Sequence, residues 1–162
     1  MDVFPDPLGD VSIVNQSGDR IADAPLGHRA DIREVSVRWV EDGAALEAIV
    51  RRTKTERSNS SSLLLLLGRG PQGGETLLFR LEWMDHANVV TAVMYDAQGG
   101  IIGGSGLQVE VSQGGGEVRF RILRTFAEVA TVLRVESYDR AAETDDRGKD
   151  TTEDIPIPPV GD

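Results

Sequence analysis

The sequence predicts an all-β domain, an antiparallel jelly-roll-like sandwich of about eight or nine strands. Three observations predict it. Apolar side chains alternate with polar ones through the middle of the chain, the period-two pattern of a strand with one buried face. Glycine-rich segments separate these alternations at the roughly 8–12-residue spacing expected of short strands folding back on one another. The length of 162 residues is that of one domain, enough to bury a core without staples.

The elements follow in order. Val35, Val37 and Trp39 alternate with Ser36 and Arg38, and Asp42-Gly43 marks a tight turn after them. A return strand runs through Leu46, Ala48 and Val50, and residues 51–62, polar and rich in Ser, read as a loop or an irregular edge. Residues 63–67 are an unbroken run of leucine, consistent with a short strand buried on both faces. Beyond the turn Pro71-Gln72-Gly73-Gly74, Leu77, Phe79, Leu81 and Trp83 alternate with Leu78, Arg80 and Glu82. Residues 89–95 form another strand, closed by Asp96-Ala97-Gln98-Gly99-Gly100. Ile101 and Ile102, then Leu107, Val109 and Val111, continue the pattern across Gly103-Gly104-Ser105-Gly106. That segment lacks the Lys and the following helix of a phosphate loop, and reads as a strand break or bulge. Gly114-Gly115-Gly116 turns the chain into Val118, Phe120 and Ile122, with Arg119 and Arg121 facing out. Residues 124–130 fit a helical turn, and Leu133 and Val135 alternate with Arg134 and Glu136 in a last strand. After Tyr138 the composition turns polar and acidic and ends in Ile155-Pro156-Ile157-Pro158-Pro159. The expected organisation is therefore a sandwich over 1–140 and an acidic, Pro-containing tail or linker over 141–162.

Composition narrows the function. Seventeen basic residues against 27 acidic give a net charge of −10, a field that repels nucleic acid and anionic membrane surfaces. There is no cysteine, which excludes disulfides, thiolate metal sites and cysteine nucleophiles. No apolar stretch approaches the roughly 20 residues of a membrane-spanning helix. Met1 is followed by Asp2, Pro5, Asp6 and Pro7, which is not a signal peptide, so an extracellular location implies a leader absent from this sequence. Residues 1–31 carry a net charge of −4 and residues 136–162 a net of −6, while the middle is neutral. The acidic excess is thus confined to the two ends.

Within those ends, Asp6-Pro7-Leu8-Gly9-Asp10 places two carboxylates four residues apart around Pro and Gly. Calcium takes about six to eight oxygen ligands from carboxylates and carbonyls in turning backbone. Gly9 permits such a turn, and Asp31 opens the first strong strand, where a rigid element anchors a ligand. Carboxylates gathered without a cation repel one another, and an ion removes that penalty. Asp6, Asp10 and Asp31 are therefore candidate ligands of a calcium ion. All-oxygen ligation argues against zinc and copper. The alternative for the Asp6/Asp10 pair is an Asp-Pro turn that caps a helix or strand.

The segments Asp6-Pro7-Leu8-Gly9-Asp10, Ala30-Asp31-Ile32 and Leu133-Arg134-Val135-Glu136-Ser137-Tyr138-Asp139 together resemble a class of secreted bacterial calcium-bound β-sandwiches. These are similar in outline to family-nine carbohydrate-binding modules and DOMON-type domains. The stretch Asp150-Thr151-Thr152-Glu153-Asp154 resembles the Asp-Thr-x-Pro-Asp ending of that class but lacks its Pro. The resemblance implies a structural calcium within a larger extracellular protein, with Asp150 as a C-terminal ligand.

Other residues carry less. His28 and His86 are the only histidines, and neither has a partner at metal-ligand spacing. No nucleophile elbow or ordered motif supports a catalytic triad. Strand parity places Trp39, Trp83 and Phe120 in the core and points Tyr138 outward, so no flat aromatic platform for sugars is evident. The expectation is a non-catalytic, calcium-stabilised accessory or structural module of a secreted or cell-surface bacterial protein. A carbohydrate-binding module recognising a polysaccharide through loops is the alternative. A self-assembling surface or filament subunit, pairing its terminal segments with a neighbouring subunit's edge strand, is a further one.

Overall fold

In the computed structural model, residues 2–6, 10–24, 30–53, 60–70, 76–86, 89–102, 107–111, 116–140 and 146–160 are described. Along their central strands every second residue points into the space between two antiparallel sheets. In chain order the elements are β1 (Asp2–Pro5), β2 (Ser12–Val14), β3 (Arg20–Asp23), β4 (Ile32–Val40), β5 (Ala45–Arg52), β6 (Ser60–Arg69), β7 (Thr76–His86), β8 (Val89–Asp96), β9 (Ile101–Ile102), β10 (Leu107–Val111), β11 (Glu117–Leu123), the single-turn helix α1 (Arg124–Ala127), β12 (Val132–Arg140), β13 (Arg147–Thr151) and β14 (Ile155–Pro156). The smaller sheet has the order β1-β4-β5-β11-β10. The larger runs β3-β2-β13-β12-β6-β7-β8-β9, with β14 also paired to β12.

Register explains the core. In the small sheet Val35 lies opposite Val50 and Val50 opposite Val118, while Val37, Ala48 and Phe120 form the next row. In the large sheet Val135, Leu65 and Leu81 align across three strands, and Leu63 lies opposite Trp83. All of these are buried and join one continuous cluster between the sheets. Each of the larger aliphatic and aromatic side chains contributes about 1.5–3 kcal/mol by leaving water. The all-β antiparallel sandwich is as the alternation predicts. The strand inventory is longer because β1, β2, β3, β9, β13 and β14 are pairings of only two to five residues.

Three local expectations change. The leucine run is buried on one face only: Leu63, Leu65 and Leu67 are fully enclosed, whereas Leu64 and Leu66 stay partly exposed on the large sheet's outer face. The turn between β4 and β5 spans residues 41–44, with Glu41, Asp42 and Gly43 all left-handed at φ 54°, 56° and 85°. A Cβ at Gly43 would lie 3.0 Å from Val160 Cγ1, so glycine there serves both the turn and the packing.

The third concerns the acidic end, which does not trail away from the sandwich over its described part, 146–160. β13 pairs with β12 on one side and β2 on the other, so it is an interior strand of the large sheet. Its inward positions are Gly148 and Asp150, so the alternation carries no apolar signature and composition conceals it. Further on, Ile155 is buried in β14, and Trp39 Nε1 donates to the Pro158 carbonyl at 2.6 Å. The Pro-containing stretch is thus fastened along the core.

Candidate metal centre

The N-terminal segment changes sheets. β1 pairs with β4 at the edge of the small sheet, and β2 pairs with β13 in the large one, so Asp6 and Asp10 lie on either side of the change of sheet. The Asp6 amide donates to the Arg33 carbonyl at 2.9 Å, which holds Asp6 beside the start of β4. Asp31 immediately precedes β4. Its carbonyl accepts from the Thr53 amide at 2.9 Å, and its Oδ2 accepts from Thr53 Oγ1 at 3.1 Å. Asp150 approaches from the other sheet, where it lies opposite Ser137 of β12. Its Oδ2 accepts from the Ile32 amide at 2.7 Å, a buried bond that joins the two sheets.

These four carboxylates converge: one oxygen of each of Asp6, Asp10, Asp31 and Asp150 lies within 4.8 Å of the others. Two oxygens on a calcium ion at 2.3–2.6 Å stand at most about 5 Å apart, so the spacing admits a shared ion. Asp31 and Asp150 are each 1 % exposed, Asp6 is half-buried and Asp10 is open to solvent. Asp150 Oδ1 and Asp6 Oδ2 are buried and meet no N–H of the described residues, so without a cation the two carboxyls have only a shared proton between them.

The electrostatics follow from that enclosure. Burial, then the charges of Asp6 and Asp10, push the Asp150 carboxyl up to about 9, against the lowering effect of the Ile32 amide. Burial, then the charges of Asp10 and Asp31, raise Asp6 to about 6. Folding without a cation therefore places carboxylates where their charged form is disfavoured. A hard divalent ion reverses that preference, and an all-oxygen donor set suits calcium better than a thiophilic or nitrogen-seeking metal. Four monodentate carboxylates leave two to four positions of a calcium shell for carbonyls or water.

The sequence-based candidates Asp6, Asp10 and Asp31 and the resemblance-based candidate Asp150 are thus brought together. His86 is exposed at the end of β7, apart from this group, and His28 and Gly9 lie outside the described residues. Asp154 pairs instead with Arg134 at 2.9 Å.

A second polar group went unpredicted. Arg52, 6 % exposed at the end of β5, donates to Ser61 Oγ and lies with its guanidinium carbon 5.6 Å from the Trp83 ring centroid. Burial lowers its pKa to about 10, opposed by the nearby charges of Asp139 and Asp85, which are each 1 % exposed. A signal for it existed: Asp85 is in phase with Leu81 and Trp83, and Asp139 with Leu133 and Val135. Acidic residues at inward positions mark a buried ion group.

Scanned against models of known protein families, the chain matches none, and no curated protein matches it either.

Proposed function

We propose that this chain is a non-catalytic, calcium-stabilised β-sandwich serving as an accessory or structural module of a secreted or cell-surface bacterial protein. One observation carries the reading: four aspartates, two next to strands of opposite sheets and two on either side of the change of sheet, bring one oxygen each within 4.8 Å of the others, and no N–H of the described residues meets Asp6 Oδ2 or Asp150 Oδ1. An ion at that point acts as a brace. It ties Asp31, at the start of the small sheet's β4, to Asp150 of the large sheet and holds the neighbouring ends of β1 and β2 through Asp6 and Asp10. Since it binds only the folded chain, it stabilises that state by mass action. Calcium sites of extracellular modules are weak, with dissociation constants of about 10⁻⁴–10⁻³ M, so such a brace is loaded outside the cell and empty within it. The similarity in outline to family-nine carbohydrate-binding modules and DOMON-type domains belongs to the same proposal.

The test is thermal unfolding in excess calcium, in excess magnesium and in chelator. A rise in melting temperature specific to calcium supports the brace. Three superimposable curves reduce the acidic group to a protonated or solvated cluster and remove the functional reading.

A further inference from the structure

The end strand of a sheet presents a row of unpaired backbone N–H and C=O groups, a ready template for another strand. Among the described residues four strands end the two sheets: β1 and β10 the smaller, β3 and β9 the larger. Three of them carry features that discourage pairing. β1 holds Asp2 and ends in Pro5, which has no N–H to give. β3 is kinked by a register shift opposite Ile13 and Val14 and bears the Arg20–Asp23 ion pair. β9 is only two residues long. β10 is different. Its register with β11 runs unbroken from Leu107 opposite Ile122 to Val111 opposite Val118, and Glu110 is its only charged residue.

The sequence of β10 suits a second copy of itself. Gln108 and Glu110 are exposed on the outer face, while Val109 and Val111 are partly buried and pack against the core. Turning a second β10 about a twofold axis through Val109 pairs the whole strand antiparallel and keeps each face on its own side. Val109 then lies opposite Val109 of the second copy and continues the apolar seam. On the outer face Gln108 lies opposite Glu110 of the second copy, and Glu110 opposite its Gln108. A carboxamide donor thus meets a carboxylate at both equivalent places. Local charge permits the approach. The net charge of −10 lies in the two ends of the chain, whereas β10 and β11 hold Glu110 and Glu117 against Arg119 and Arg121. Arg119 Nη1 stands 4.0 Å from Glu110 of its own chain.

We propose that β10 joins two copies of this chain into a closed dimer, running the five-stranded sheet of one into that of the other. The contact is isologous, so pairing consumes both edges and stops at two. It is also small, which makes the dimer weak and concentration-dependent. β10 stands at the opposite edge of the small sheet from β1 and contributes no residue to the acidic cluster, so the dimer is independent of the metal centre.

The experiment is sedimentation velocity of the full chain, in calcium throughout, over a concentration series reaching millimolar. A reversible monomer–dimer equilibrium is expected. Gln108→Glu sets like charges opposite each other at both equivalent places and should weaken the dimer by about tenfold, whereas Gln108→Lys sets opposite charges there and should tighten it by about tenfold. The double variant Gln108→Glu, Glu110→Lys restores opposite charges and should associate within about threefold of wild type. Gln16, exposed in the turn after β2, takes the same charge changes as a control, and Gln16→Glu and Gln16→Lys should leave the dimer unchanged. Every substituted side chain is exposed, so the melting temperature should stay that of wild type. A chain that remains monomeric at millimolar concentration overturns the proposal, as do assemblies larger than two. So do Gln108 variants without effect, Gln16 variants that shift association as far, or a double variant as weak as Gln108→Glu. Failure of the dimer leaves the metal brace standing, and melting curves that ignore calcium leave the dimer standing.

Discussion

Replacing Asp150 by asparagine separates the burden of the acidic cluster from its benefit. Asparagine keeps an oxygen for the Ile32 amide, now 2.7 Å from Asp150 Oδ2, and removes one charge. In the metal-free protein the Asp150 carboxyl titrates near 9 instead of 3.8. Holding its proton in the folded state costs about 1.4 kcal/mol for each pH unit above the unfolded value, a ceiling of about 4 kcal/mol at pH 7. Relaxation and water entry reduce this, so in chelator Asp150→Asn should be more stable than wild type by about 1–3 kcal/mol. At roughly 2–4 °C per kcal/mol for a domain of this size, the melting temperature rises by several degrees. Calcium at a hundred times its dissociation constant should add about 2.7 kcal/mol to wild type. A variant that binds a hundredfold more weakly gains only about 0.4 kcal/mol, which erases its advantage. The assay is thermal unfolding of both proteins at pH 7, in chelator and in calcium. A variant less stable than wild type in chelator, with an undiminished gain in calcium, refutes the reasoning.

Three further outcomes are expected. Asp6 and Asp150 both titrate higher folded than unfolded, so the metal-free native state binds more protons; its stability is complete below about pH 4 and falls as pH rises through about 6 for Asp6 and about 9 for Asp150. Urea unfolding in chelator across that window should show the decline and calcium should flatten it, whereas a rise with pH contradicts the assignment. Arg52→Met removes the buried counter-charge beside Asp85 and Asp139 and should destabilise by about 3–5 kcal/mol in urea unfolding, with a loss below 1 kcal/mol counting against a buried ion group. Trp39→Phe deletes the donor to the Pro158 carbonyl and should cost about 1 kcal/mol, with faster amide exchange concentrated in residues 155–160. Unchanged exchange there means that the chain end is fastened by Ile155 and Ile157 instead.

Period-two alternation made most of the sandwich legible, because Val35, Val37, Leu46, Val118, Phe120 and Leu133 sit on strands with one wet and one dry face. It failed where the inward residues are not apolar. β13 carries Gly148 and Asp150 inward, so its composition resembles a solvated tail although it lies between two strands. The leucine run failed oppositely: five identical residues conceal which face is buried, and only strand pairing shows that Leu64 and Leu66 point to the outer face and stay partly exposed. Of the acidic cluster, Asp6 and Asp10 were legible as a local pair, and Asp31 by its place before a strand. Asp150 came only through the resemblance, since its proximity is set by pairing across more than a hundred residues, as the Ile32–Asp150 bond shows. The Arg52 group was legible in phase but not in partner, because strand order decides which inward acid meets which inward base.

The central claim is that one calcium ion binds at the convergence of Asp6, Asp10, Asp31 and Asp150. Equilibrium dialysis against radioactive calcium tests it most directly, on the wild-type chain, Asp10→Ala and Asp150→Asn at pH 7. Saturation at one calcium per chain is expected for wild type, with at least a tenfold loss of affinity in each variant. No retention up to millimolar calcium, or binding that neither substitution changes, contradicts it.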